Sequence, residues 1–163
     1  MVLLTAWIVF PFAAAAQSLP EDARQQEKKY QQQMERYQRE GNQRKILEYA
    51  NKLAFLYWNN KFHTQAETWF EKSLRLNQSL ENPNGVRKTH YYLGMVRSEN
   101  SNYSGALTSF KNGLKISRQL KDKDSELSGL LNISQTFQLM GRLHSSNEYA
   151  RQALEQAKEQ DDL

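Results

Sequence analysis

The chain contains no cysteine. Disulfide staples, thiolate metal sites, thiol catalysis and a lipid-anchoring cysteine are therefore excluded. Proline is scarce, with three residues in 163, and glycine numbers only seven, so long helices are favoured over many short strands. No Gly-rich phosphate loop, no G-x-S-x-G and no H-E-x-x-H occurs. No dense run of one charge exists either. The formal charge is +4, and the basic residues from Arg24 to Lys158 are interleaved with Asp and Glu. They read as solvated helix faces, and no nucleic-acid partner is expected.

What is present begins with "MVLLTAWIVFPFAAAAQSLP". Val2 to Ala16 carries no charge, and Ala14 and Ala16 satisfy the small-x-small rule for signal-peptidase cleavage before Gln17. The stretch falls short of the roughly 20 residues of a membrane span and contains Pro11. Residues 1–16 are therefore expected to be a signal peptide, although no Lys or Arg precedes the apolar run. The expected location is outside the cytoplasm, in the periplasm, with membrane contact only through that leader or an uncleaved anchor. "SLPE" then reads as a capping box, with Ser18 accepting from the first turn and Glu21 bonding back. It opens a Gln-rich helix running to Arg39, within a capping segment at 18–40.

The rest of the chain repeats with a period of 40. Leu53, Leu93 and Ile133 align under that shift, followed by Ala54, Gly94 and Ser134. Ala66, Ala106 and Ser146 align next, then Ser73, Gly113 and Ala153, then Leu74, Leu114 and Leu154. The caps Asn42, Asn82, Asp122 and Asp162 keep the same phase. Within a unit the apolar spacing is helical, as in Leu47, Ala50, Leu53, Ala54 and Tyr57. Each unit is two amphipathic helices, expected near 43–59 and 63–80, 84–100 and 103–120, and 124–140 and 143–160. The repeats are placed at 43–80, 83–120 and 123–160. Small residues let the helices cross closely, and Phe70, Phe110 and Tyr149 fill the space beside them. Asp162 stands where a fourth unit would begin, so the chain is expected to be the front part of a longer protein.

This pattern resembles the tetratricopeptide repeat family. The resemblance rests on Leu93-Gly94 in a first helix, on the aromatic three residues beyond such a pair (Tyr57, Phe137), and on Ala106, Phe110 and Gly113-Leu114 in a second helix. The unit is 40 residues long against the family's usual 34. The family's early Trp is Ala50, His90 and Leu130 here, its helix-ending Pro is absent, Arg97 replaces an aromatic, and Tyr149 is displaced, leaving Ala150. Units of this length resemble those of exported sensor regions ahead of bacterial histidine kinases. The resemblance implies an all-α, right-handed superhelical solenoid of antiparallel helix pairs, about three repeats behind an N-terminal capping helix.

It also implies a non-catalytic scaffold that binds proteins or peptides on its concave face. The alternative is the sensory front end of a larger signalling protein. The family's first helices line that face. Their sides left free by packing carry Asn51, Phe55 and Trp58, then Tyr91 and Met95, then Leu131 and Gln135. Phe55 and Trp58 follow Asn51 by four and seven residues, so the three share one stripe. Large apolar groups left over after the core is assigned mark a partner site. No catalytic residue, cofactor or metal is expected. His63 and His144 fall in equivalent turns two units apart, and His90 is expected as a hydrogen-bonded core residue.

Overall fold

A computed structural model describes residues 18–161. The expected signal peptide and the cap Asp162 lie outside the described residues. Among the described residues seven helices follow one another: α1 (Glu21–Arg39), α2 (Gln43–Asn59), α3 (His63–Ser79), α4 (Pro83–Glu99), α5 (Tyr103–Gln119), α6 (Lys123–Leu139) and α7 (Leu143–Asp161). The last six start and end within one residue of the positions read from the apolar spacing. No strand occurs among the described residues. Each helix packs chiefly on its neighbours in the chain, as expected of a stack and not of a bundle around one closed centre.

The capping box does not form. The N-cap of α1 is Pro20, at φ −51 and ψ 153, with no side-chain cap. Proline supplies no acceptor, and Ser18 lies too far before the helix to reach its first turn. The free N–H groups meet the charges of Glu21 and Asp22 instead. Buried Leu19 ties the incoming chain to the core.

The backbone repeats every 20 residues, half the period of the side chains. All six connections are a C-cap, one left-handed residue and an N-cap. The left-handed positions are Gly41, Lys61, Glu81, Ser101, Lys121 and Gly141, with φ between 48 and 70. At Lys61 its own N–H donates to Trp58 O at 2.9 Å, and the next N–H, of Phe62, donates to Tyr57 O at 2.9 Å. This Schellman pairing recurs at every turn and satisfies the carbonyls that end each helix. Asn42, Asn82, Asn102 and Asp122 then cap the following helices by accepting from the N–H three residues on. The Asp122 carboxyl is held below the usual range, first by the Ser125 N–H and further by the Ser125 hydroxyl and Arg87.

Four of these left-handed residues carry a Cβ, which costs about 1–2 kcal/mol in that region of φ/ψ space. Lys121 is exposed and forms no ion pair among the described residues. Lys121→Gly is therefore expected to raise the urea midpoint, corresponding to a gain of about 0.5–1 kcal/mol.

The interior divides into two apolar clusters. One runs from Leu19 to Val96 and the other from Ala106 to Ala153. Gly94 and Phe110 join them. A Cβ added at Gly94 would overlap the Phe110 ring, so the ring lies flat on bare α4 backbone. Further along, Tyr91 O–H donates to Ser125 O at 2.7 Å and lies 3.0 Å from Ser117 Oγ. Its ring lies under Gly113 and its hydroxyl under Gly129. The glycines therefore permit approach at the helix crossings, as their spacing implies.

The position expected to be aromatic holds onto the preceding second helix in three ways. Tyr57 O–H donates to the Glu27 carboxylate of α1. Burial and that carboxylate both push the phenol well above its usual range. Arg97 Nε donates to Glu67 at 2.6 Å and its NH2 group to Glu71 at 3.0 Å, both on α3. Its NH1 group also reaches Ser109 Oγ on α5 at 2.7 Å. Phe137 shares an apolar cluster with Leu107. Each partner precedes its anchor by 30 residues: Glu27, Glu67 and Leu107. One geometric joint is thus filled by a tyrosine–carboxylate hydrogen bond, an arginine–carboxylate ion pair and two side chains of one apolar cluster in turn.

Candidate partner-binding face

The first helices α2, α4 and α6 present a common face. On α2, Asn51 and Phe55 line a hollow of about 460 Å³ together with Glu48, Lys52 and Tyr30. Tyr30 belongs to α1, so the capping helix forms one wall. Lys52 Nζ sits 4.4 Å from the centre of the Tyr49 ring and 5.8 Å from that of Tyr30, and it pairs with Glu48 at 2.6 Å. Glu48 takes both Lys45 and Lys52 as partners, which lowers its carboxyl below the usual range.

A second hollow, of about 190 Å³, lies between α4 and α6. Met95 and Gln135 line it, with Glu99, Asn132 and Thr136 around a floor that includes Phe110. Met95 is 37% exposed and Leu131 is 52% exposed, so both are available to a partner without unpacking the core.

Between the hollows, Phe55, Trp58, Phe70 and Tyr92 form a continuous aromatic cluster. Phe55 meets Tyr92 edge-on at 4.9 Å and Phe70 at 5.2 Å, and Phe70 stacks on Tyr92 at 5.3 Å. Trp58 packs against Phe70 at 6.0 Å and Tyr92 at 6.2 Å, while its Nε1 donates to Glu99 at 3.0 Å. Trp58 is thus half-buried in the seam between α2, α3 and α4. Its loss would disturb packing as well as any contact made from outside.

The seven residues read from the sequence therefore divide. Asn51 and Phe55 meet in one hollow, Met95 and Gln135 in the other, and Leu131 projects from α6. Trp58 joins the seam. Tyr91 turns toward α5 and α6, where its hydroxyl is engaged, because a long ring on this side of α4 fits only against Gly113 and Gly129. Tyr30, Tyr92, Glu99 and Asn132 escaped the sequence reading. Tyr92 lies 40 residues after Lys52, which the structure places in the first hollow. Tyr30 gave no signal, because only packing brings α1 beside α2. His90 is half-buried and lines a groove with Arg75 and Arg97; it is not a core residue. Burial, then Arg97, pushes its imidazole below the usual range.

Among the described residues, no group of three or more His, Cys, Asp or Glu is arranged to hold a metal. No described helix is long and apolar enough to cross a membrane.

Residues 46–85 match the family model for the tetratricopeptide repeat. No curated protein sequence matches the chain significantly. Among solved structures, the chain is similar to BtubC (BKLC) from P. vanneervenii, with 14% identity, a TM-score of 0.76, and coverage of 87% of this chain and 59% of that one. It is similar to the TPR domain of Arabidopsis FLU, with 20% identity, a TM-score of 0.66, and coverage of 71% and 98%. It is also similar to aspartyl phosphate phosphatase F from Bacillus subtilis, with 19% identity, a TM-score of 0.69, and coverage of 86% and 35%. The chain thus spans little over half the length of the first of these and about a third of the last. Residues 46–85 carry a tetratricopeptide repeat match, and the described residues have an all-α helical repeat fold.

Proposed function

We propose that this chain is a non-catalytic scaffold that holds a protein or peptide along the face of α2, α4 and α6. The observation that carries the reading is the chemistry of that face. Met95 and Leu131 stand exposed on neighbouring first helices, beside two hollows rimmed by the amides of Asn51, Asn132 and Gln135. An apolar floor with amide edges suits an extended or helical segment, whose side chains fill hollows while its polar groups meet the rim. The helical repeat supports the same reading, since stacked pairs create long continuous surfaces.

Full-length protein bearing Met95→Lys and Leu131→Lys tests it. Both side chains reach solvent, so the urea midpoint should stay within about 0.5 kcal/mol of the parent. Partners captured by the parent and identified by mass spectrometry should be lost from the variant. Retention of every partner would mean that the first-helix face is not used.

Export forms part of the proposal. The charge-free stretch Val2–Ala16 with Ala14 and Ala16 supports it. N-terminal sequencing of protein recovered outside the cytoplasm should begin at Gln17. The alternative role, a sensory region of a longer signalling protein, rests on the expectation drawn from the 40-residue period. In that case Met95→Lys should alter the activity of a following domain.

A further inference from the structure

The second helices form grooves of their own, and two of these can be compared residue by residue. Between α3 and α5 a hollow of about 300 Å³ is lined by Glu71, Leu74, Arg75, Ser109 and Asn112, among others. Adding 40 to those numbers gives Lys111, Leu114, Lys115, Tyr149 and Gln152. These five line a hollow of about 470 Å³ between α5 and α7. The stack has thus built the same groove twice with different chemistry.

In the first groove the two carboxylates are answered internally, while Arg75 forms no ion pair among the described residues. Arg97 rises from α4 and pairs with Glu67 and Glu71. In the second, Phe137 stands at the place of Arg97, Leu107 at that of Glu67 and Lys111 at that of Glu71. Both carboxylates are gone, and one is replaced by a cation. Arg118, 40 residues after Gln78, adds a guanidinium to the lining of the second groove. Arg118 is paired with Glu126 at 2.8 Å, but Lys111 and Lys115 have no carboxylate partner among the described residues. The two lysines stand one helical turn apart on α5, a spacing at which like charges repel. Beneath them the floor is apolar. Leu114 is buried, and the Tyr149 ring is stacked on Phe137 at 5.6 Å.

We propose that the α5–α7 groove docks an acidic segment of a partner protein, independently of the first-helix face. Carboxylates one helical turn apart on that segment meet Lys111 and Lys115, and an apolar side chain between them rests on Leu114 and Tyr149. Charge complementarity selects the acid, and the apolar floor selects a polypeptide over a bare polyanion. A nucleic acid or an anionic lipid surface satisfies the lysines and leaves the floor empty.

The test uses the full chain and a short fluorescein-labelled helical peptide with glutamates one turn apart and leucines between them, read by anisotropy. Binding is expected, with an affinity that falls as salt rises. Lys111→Glu with Lys115→Glu reverses both charges at exposed positions, and should weaken binding by about tenfold or more. Peptides with Gln for Glu, or with Ser for Leu, should also bind several-fold more weakly. Met95→Lys should leave the peptide's affinity unchanged, which separates this site from the first-helix face. Four results would each overturn the proposal: no binding, equal affinity of the double variant, equal affinity of either altered peptide, or duplex DNA or phosphatidylserine vesicles binding as tightly as the peptide. Self-association abolished by the double variant would assign the groove to a second copy of the chain and overturn it as well.

Discussion

Replacing Phe110 by alanine is expected to remove about 3–5 kcal/mol of stability, read as a lowered urea midpoint at unchanged slope. The ring is 2% exposed and lies on the backbone of α4 at Gly94. It also sits where the two apolar clusters meet, so a cavity there weakens the joint between them as well as the local packing. The neighbouring glycine sharpens the test. Gly94→Ala alone should cost about 1–3 kcal/mol, because its new methyl has no room beside the ring. In the double variant that methyl occupies part of the space the ring has left. Its loss should fall short of the sum of the singles by about 1 kcal/mol or more. Strict additivity would mean that ring and glycine do not touch.

Arg97→Phe should cost about 2–3 kcal/mol, less than a fully buried pair would lose. The single change strands Glu67 and Glu71 and deprives Ser109 Oγ of its donor. The Glu67 and Glu71 side chains are 24% and 43% exposed, so water recovers part of the loss. The next joint supplies the remedy, since it places Phe137 with Leu107 at the same two positions. Arg97→Phe with Glu67→Leu copies it and should return to within about 1 kcal/mol of the parent. High salt should narrow the gap between parent and single variant. A single-variant cost under about 0.5 kcal/mol would place the ion pairs in solvent and remove their structural role.

Much of the fold was legible because helix formation is local. Apolar residues three and four apart define a face, and Asn or Asp before that face marks its start. Asn102 caps α5 as Asn82 caps α4, yet the 40-residue comparison overlooked it, because turns within a unit and turns between units share one backbone form. The half-period was hidden because four of the six left-handed positions lack glycine, the residue by which such turns are recognised. Asn77 could not be placed from helical spacing alone: it is 2% exposed, with its amide donating to Ser73 O and Thr89 Oγ1.

The candidate site was legible only in part. Helical phase placed Phe55, Met95 and Gln135 toward the hollows, but it also gave the same side of the helix to Tyr91 and Trp58. Both turn into packing instead, Tyr91 because Gly113 and Gly129 open space for it, Trp58 because Phe70 and Tyr92 surround it.

By itself the sequence determined the helices, their order and their paired stacking, since these follow from the spacing of neighbours along one strand of backbone. Only the tertiary structure decided which side chains remain for a partner, and that Lys111 and Lys115 share a groove without an acid. Those properties depend on residues 30 or more positions apart being brought into contact, and on what each packed neighbour leaves uncovered.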